Sequence, residues 1–144
     1  MTEPKRFSSD HYAGGQPSPQ DLAELAREGV RTVINLRSAD EPVDYDEASE
    51  AGRLGLCYEC LPISGPSDLD SACIERFGRL LDAARAKGGV LIHCASSNRA
   101  GAMVALDAAL SRGAPIDVAI QRGRDAGLVG LEPVVRDIIA NTVA

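Results

Sequence analysis

Apolar residues along this chain recur in two alternating patterns, one helical and one extended. Leu22, Leu25 and Ala26 lie at helical spacing. Before them, Ser18-Pro19-Gln20-Asp21 is a helix start: Ser18 suits the N-cap, Pro19 the first turn and Asp21 the reciprocal capping position. Gly29 closes that helix. Arg31-Thr32-Val33-Ile34-Asn35-Leu36 follows as a strand rich in β-branched residues. Ala39 to Asp46 is polar, acidic and interrupted by Pro42, so it is read as a loop. A short helix is expected from about Tyr45 to Leu54, stopped by Gly55, and then a strand over Leu56–Ile63. Ile74, Phe77, Leu80, Leu81 and Ala84 mark one face of a helix from about Asp70 to Lys87, with Cys73 joining that face. Gly88-Gly89 returns the chain to a strand over Val90–Cys94, and a helix of small apolar residues runs from Ala100 until Asp107. Two more helices are expected, Ile116–Asp125 and about Leu131–Asn141. His11-Tyr12-Ala13 reads as a short edge strand, and Met1–Asp10 as a loosely held segment.

Strand and helix patterns therefore alternate. The fold class expected is α/β in three layers: a central, mostly parallel sheet of four to five strands with helices on both faces. The 144 residues make one domain with room for a real core. With three Tyr, two Phe and no Trp, that core must be built from Leu, Ile, Val and Ala. A net charge of −6 argues against general nucleic-acid or anionic-membrane binding. No apolar run is long enough to span a bilayer, and four cysteines in such a chain do not form a disulfide framework, so a reduced cytoplasmic protein is expected.

The chemistry concentrates in one stretch, His93-Cys94-Ala95-Ser96-Ser97-Asn98-Arg99. It joins a buried strand to a helix N-terminus, where unpaired amides and the helix dipole favour anions. A thiol placed there is pushed towards thiolate, and Arg99 can grip two oxygens of an oxyanion in its planar fork. Cys94 taken alone would be an ordinary small hydrophobe; with Arg99 at the helix start, the chemical reading leads. Ser96, Ser97 and Asn98 equally suit a tight loop.

This stretch resembles the signature of cysteine-dependent protein tyrosine and dual-specificity phosphatases, in which His-Cys is followed by five residues and Arg. Only four residues stand between Cys94 and Arg99, the spacing of the rhodanese sulfurtransferase loop. A bacterial family similar to the dual-specificity phosphatases carries the shorter loop, and its domain is also found fused to β-lactamase-fold hydrolases. Gly14-Gly15-Gln16-Pro17-Ser18-Pro19-Gln20-Asp21-Leu22 and Arg31-Thr32-Val33-Ile34-Asn35-Leu36-Arg37 resemble its opening segments, so the likeness covers most of the chain from about Tyr12.

The resemblance implies a cysteine-phosphatase-like fold and a hydrolase. In it Cys94 attacks phosphorus, the amides of Ala95 to Arg99 hold the oxygens, and Arg99 stabilises the transition state. His93, on the opposite face of the strand from Cys94, would orient the loop. Ser96 or Ser97 could donate to the leaving thiolate. The substrate is a phosphorylated protein or a small phosphate ester, and no metal or other cofactor is expected. The alternatives are a sulfurtransferase carrying a Cys94 persulfide and a module that binds an oxyanion without chemistry. A glycine usual in the family loop is absent, with Ser97 near its place; a positive φ there would cost a serine about 1 kcal/mol.

The remaining polar residues receive structural readings. Arg37 is taken as a solvated arginine, with added positive potential near the loop as its alternative. Five acidic residues between Asp40 and Glu47 are read as a solvated cluster. Cys57 and Cys60 are read as ordinary thiols of a strand, because positions three apart face opposite sides. Ser67 with Asp70 fits a capping box and Asp68 a first helical turn, so neither Asp is assigned as general acid. His11 is read as exposed.

Overall fold

The computed structural model describes residues 4–143. Five strands, β1 (Lys5–Arg6), β2 (His11–Gly14), β3 (Val30–Asn35), β4 (Cys57–Cys60) and β5 (Gly89–His93), form one sheet in the order β1-β2-β5-β3-β4. All neighbours are parallel except the β1–β2 pair. The expected mostly parallel α/β sheet is therefore present, with the N-terminal segment as its fifth strand. That corrects two expectations. Residues 4–10 are tied to the sheet through β1, while Met1, Thr2 and Glu3 lie outside the described residues. His11–Ala13 is an inner strand rather than an edge.

Six helices cover the sheet: α1 (Pro19–Glu28), α2 (Glu47–Arg53), α3 (Ser71–Arg85), α4 (Asn98–Leu106), α5 (Ile116–Asp125) and α6 (Glu132–Val143). α1 and α2 pack on one face, where Leu22, Leu25 and Ala51 meet Val33 and Leu91. The other four pack on the opposite face, with Phe77, Met103, Ile120 and Ile139 against Ile34 and Ile92. The core is aliphatic, as the composition requires.

α1 has the capping box its sequence announces: Ser18 Oγ accepts from Asp21 N and Asp21 Oδ2 from Ser18 N, each at 3.0 Å. Gly29 ends it at φ 109°, a left-handed position that glycine adopts without a Cβ penalty. α3 is capped differently from expectation. Asp70 itself is the N-cap, accepting from Cys73 N at 2.9 Å, because Pro66–Asp68 forms a separate 3-10 turn that removes Ser67 from the helix start. α4 is buried on every side and runs into a π turn, Asp107–Ser111.

α4 and α5 cross at backbone distance. A Cβ on Gly101 would sit 2.2 Å from Leu128 N, and one on Gly123 would sit 2.8 Å from Gly101 O. Only glycine fits at either position, and the contact fixes α4, whose first turn carries the candidate site.

Candidate active site

β5 delivers His93 and Cys94 to the C-terminal edge of the sheet, where open α/β folds bind ligands. Successive residues of a strand face opposite sides. Cys94 accordingly belongs to the core cluster under α4, and His93 turns to the face covered by α2. Both are fully buried, while Ala95 and Ser96 stand exposed above them.

Ser97 is the N-cap of α4, at φ 72° and ψ −6°, the one non-glycine residue with positive φ among the described residues. The structure thus places the serine at the strained position anticipated from the missing glycine. Its hydroxyl does not cap the helix. It donates to Ala126 O at 2.6 Å, which leaves it turned away from Cys94 and removes it as a donor to the thiolate. The first-turn amides of α4, which a capping side chain would otherwise occupy, consequently stay open towards the loop. Asn98 is also committed elsewhere: its Oδ1 accepts from Val129 N at 2.9 Å and Leu131 N at 3.3 Å. Ser97 and Asn98 therefore tie the loop to the α5–α6 connection with their side chains.

Arg99 lies in the first turn of α4. Its Nη1 donates to Glu41 Oε2 and to Ile63 O, and its Nη2 to Glu41 Oε1, each at 2.7 Å. These bonds consume three of the five guanidinium N–H groups. Nε–H and the second Nη2–H remain, and they form the side-on edge that fits two oxygens of an oxyanion. The guanidinium pKa stands above its ordinary value, first because of the hydrogen bonds to Glu41; burial opposes this, and the nearby Cys94 sulfur adds to it. Glu41 is correspondingly held far below the usual carboxylate range, principally by Arg99.

Two of the five acidic residues, Glu41 and Glu47, are therefore not part of a solvated cluster, which corrects the sequence reading for them, while Asp40, Asp44 and Asp46 are exposed as expected. Glu47, the first residue of α2, is buried, and its Oε2 accepts from His93 Nε2 at 2.5 Å. Its Oε1 accepts from Gln16 Nε2 at 2.8 Å. Gln16 Oε1 in turn accepts from Arg37, which also reaches Glu41 and Pro42 O. Arg37 is thus an interior link rather than a solvated arginine: its side chain is 9% exposed. One chain of contacts runs His93–Glu47–Gln16–Arg37–Glu41–Arg99 and closes around the loop. Gln16, Glu41 and Glu47 carry this network and were missed from the sequence. Their types are ordinary for a polar loop, and the partners of the two glutamates lie 46 and 58 residues away in the chain.

A groove of about 630 Å³ opens beside the loop, bounded by Pro17, Arg37, Pro42, Val43, Tyr45 and Ala95. Burial, with Glu47 adding to it, pushes the Tyr45 phenol up to about 12, so it stays neutral and donates to Pro17 O at 2.6 Å. Asp68 and Asp70 both spend carboxylate oxygens on backbone N–H groups, of Ser64 and Cys73 respectively. Cys57 and Cys60 are free thiols of β4, with Lys87 Nζ 3.4 Å from Cys57 Sγ. His11 is buried, not exposed, and lies far along β2 from the loop. Among the described residues no group of three or more His, Cys, Asp or Glu could hold a metal ion, and no helix is long and apolar enough to cross a membrane.

A parallel sheet that ends a central strand in a buried cysteine, followed by a loop, a helix N-terminus and an arginine, has the cysteine-phosphatase fold. The family model for the phosphatase-like domain of β-lactamase hydrolase-like proteins matches residues 5–111, and the chain belongs to that family. The β-lactamase hydrolase-like protein of Xylella fastidiosa (strain Temecula1) is 38% identical over 96 residues, which are 64% of this chain and 22% of that protein. The chain thus spans about a fifth of the length of that curated relative. The crystal structure of P. aeruginosa TpbA is similar with a TM-score of 0.76 at 23% identity, over 98% of this chain and 85% of that one. A TpbA variant in complex with phosphotyrosine is similar with a TM-score of 0.68 at 26% identity, over 96% and 91% of the two chains.

Proposed function

We propose that this domain is a cysteine-dependent phosphatase acting on a phosphate monoester. The observation that carries the reading is the division of Arg99: one edge is fixed by Glu41 and the other is left for an oxyanion, beside the Cys94 sulfur and uncapped helix amides. An ion pair with a purely structural role has no need of that arrangement.

In the proposed reaction the Cys94 thiolate attacks phosphorus. An S–P bond forms as the ester P–O bond breaks, and the leaving oxygen takes a proton from water to depart as the alcohol or phenol. Water then cleaves the S–P bond, which releases inorganic phosphate and restores the thiolate. The amides of Ala95 to Arg99 hold the equatorial oxygens, and the free edge of Arg99 balances their charge in the transition state. The leaving group lies in the groove bounded by Pro17, Pro42 and Tyr45. His93 acts through position: its bond to Glu47 anchors the residue next to Cys94. The phosphotyrosine seen with the related TpbA supports a phosphate-ester substrate, either on a protein or on a small molecule.

Hydrolysis of an activated aryl phosphate by reduced wild-type protein and by Cys94→Ser tests the reading. An activated leaving group needs little help from a general acid, so the chemistry shows even if no Asp supplies one. Turnover by wild type that Cys94→Ser abolishes is expected. Absence of turnover in clean, reduced protein, together with thiosulfate-to-cyanide sulfur transfer or with phosphate binding alone, would overturn it.

A further inference from the structure

At the opposite edge of the sheet from Cys94, a cavity of about 380 Å³ lies between the β1–β2 turn, α3, the end of α4 and α5. Its size falls within the range of small-molecule sites. Phe7, Leu81, Val104 and Ala108 give it an apolar floor. Arg85, Arg112 and Arg122 reach it from three different segments. Such convergence is unusual in a chain of net charge −6.

The three arginines differ in how far they are neutralised. Arg112 is committed, with Asp107 at 2.7 Å and Asp82 at 3.0 Å. Arg85 has only Asp10, at 3.6 Å. Arg122 has no carboxylate partner among the described residues and lies 6.0 Å from the centroid of the Phe7 ring. Asp10 and Asp107 are the two carboxylates on the wall, and with Arg112 and Arg85 set against carboxylates, Arg122 is the arginine left without one. His11 also lines the cavity, its Nδ1 lying 2.6 Å from Ser8 Oγ and 2.8 Å from Asp10 Oδ1. Burial and the two arginines disfavour its charged form, against the pull of Asp10. Arg122 is thus an unspent donor next to apolar surface, in a cavity walled in part by the π turn, and π turns recur at functional positions.

We propose that this cavity is a second binding site, separate from the catalytic loop, for a small organic carboxylate with an aryl or alkyl body. The apolar body covers Phe7, Leu81 and Val104, and the carboxylate is received by Arg122 and Arg85. A single negative charge answers Arg122, the arginine without a carboxylate partner, whereas a phosphate dianion would bring a second negative charge beside Asp10 and Asp107. A planar carboxylate also suits the guanidinium fork. This inference does not depend on the phosphatase reading.

The test is a titration of the ¹⁵N-labelled full chain with 4-phenylbutyrate, with the uncharged 4-phenylbutanol as control, followed by backbone amide shifts. The proposal expects saturable shifts at Phe7, His11, Val104 and Arg122, with a dissociation constant of about 1 mM or tighter. It expects Arg122→Gln, and separately Arg85→Gln, to weaken binding by about tenfold while the spectrum stays that of a folded chain. Shifts confined to the Cys94–Arg99 loop, no saturation at cavity residues, or equal binding of the alcohol would each overturn it. Unchanged binding in both folded variants would do the same.

Discussion

Glu41 holds Arg99 end-on, through both terminal nitrogens, and leaves the side-on edge of the guanidinium open. In the proposed mechanism this relationship makes Glu41 a positioning residue rather than a competitor of the substrate. Transition-state stabilisation by an arginine depends on where its fork is held, and misplacement by about 1 Å can cost about 100-fold. Glu41→Gln keeps the shape but loses the charge-assisted pair. It is expected to lower kcat/KM for an aryl phosphate by about 10- to 100-fold, with stability changed far less. Steady-state kinetics beside urea unfolding check this; faster turnover in the variant would mark Glu41 as a brake instead.

Ser97 and Gly127 form a second coupled pair. A Cβ at Gly127 would lie 2.5 Å from both Cβ and Oγ of Ser97, and Gly127 has φ 109°. Gly127→Ala therefore meets a clash and a strained backbone together, and is expected to destabilise by about 1–3 kcal/mol. Ser97→Gly relieves the left-handed strain but loses the bond to Ala126 O, so its stability is expected within about 1 kcal/mol of wild type. Ser97→Ala keeps the strain and loses the bond, and should be the less stable of the two. Urea midpoints rank the three.

Removing Glu47 strands His93. Nδ1 of that imidazole already lacks a partner, and Glu47 is the acceptor at Nε2. Glu47→Ala leaves a buried polar ring unsatisfied and is expected to cost about 1–3 kcal/mol, with Glu47→Gln costing less because an acceptor remains. Chemical denaturation of the two variants is the check. Equal stability of Glu47→Ala and wild type would remove the pair from the account of the loop.

His11 sets a pH dependence. Its pKa is lowered, first by burial, with Asp10 opposing and Arg85 and Arg122 adding to the shift. The unfolded chain therefore binds a proton more readily than the folded one. Stability is full above the unfolded histidine value of about 6.5 and declines as pH falls from there to the depressed folded value. His11→Gln is expected to flatten that part of the profile of urea midpoint against pH, and an unchanged slope would contradict the assignment.

Much of the architecture was legible because its determinants are local. The Ser18–Asp21 capping box, the left-handed Gly29 and the β-branched run of β3 each announce themselves within a few residues. The Cys94–Arg99 loop was legible for the same reason. What escaped is non-local. Glu41 and Glu47 carry the same carboxylate as Asp40 and Asp44 in the same stretch, and the partners that set them apart meet them only when β5 and the loop after β3 come to the same sheet edge. Arg37 and His11 were misjudged similarly, since burial of a polar side chain depends on elements far along the chain. At α3 two cap-forming residues stood three apart, and the 3-10 turn at Pro66–Asp68 decided for Asp70.

The most direct measurement is acid-quenched turnover of a radiolabelled aryl phosphate by wild-type protein and by Cys94→Ser. The account predicts label on the peptide that carries Cys94 in the wild type, and neither label nor turnover in the variant. Turnover that survives Cys94→Ser, or label carried by another residue, would contradict it.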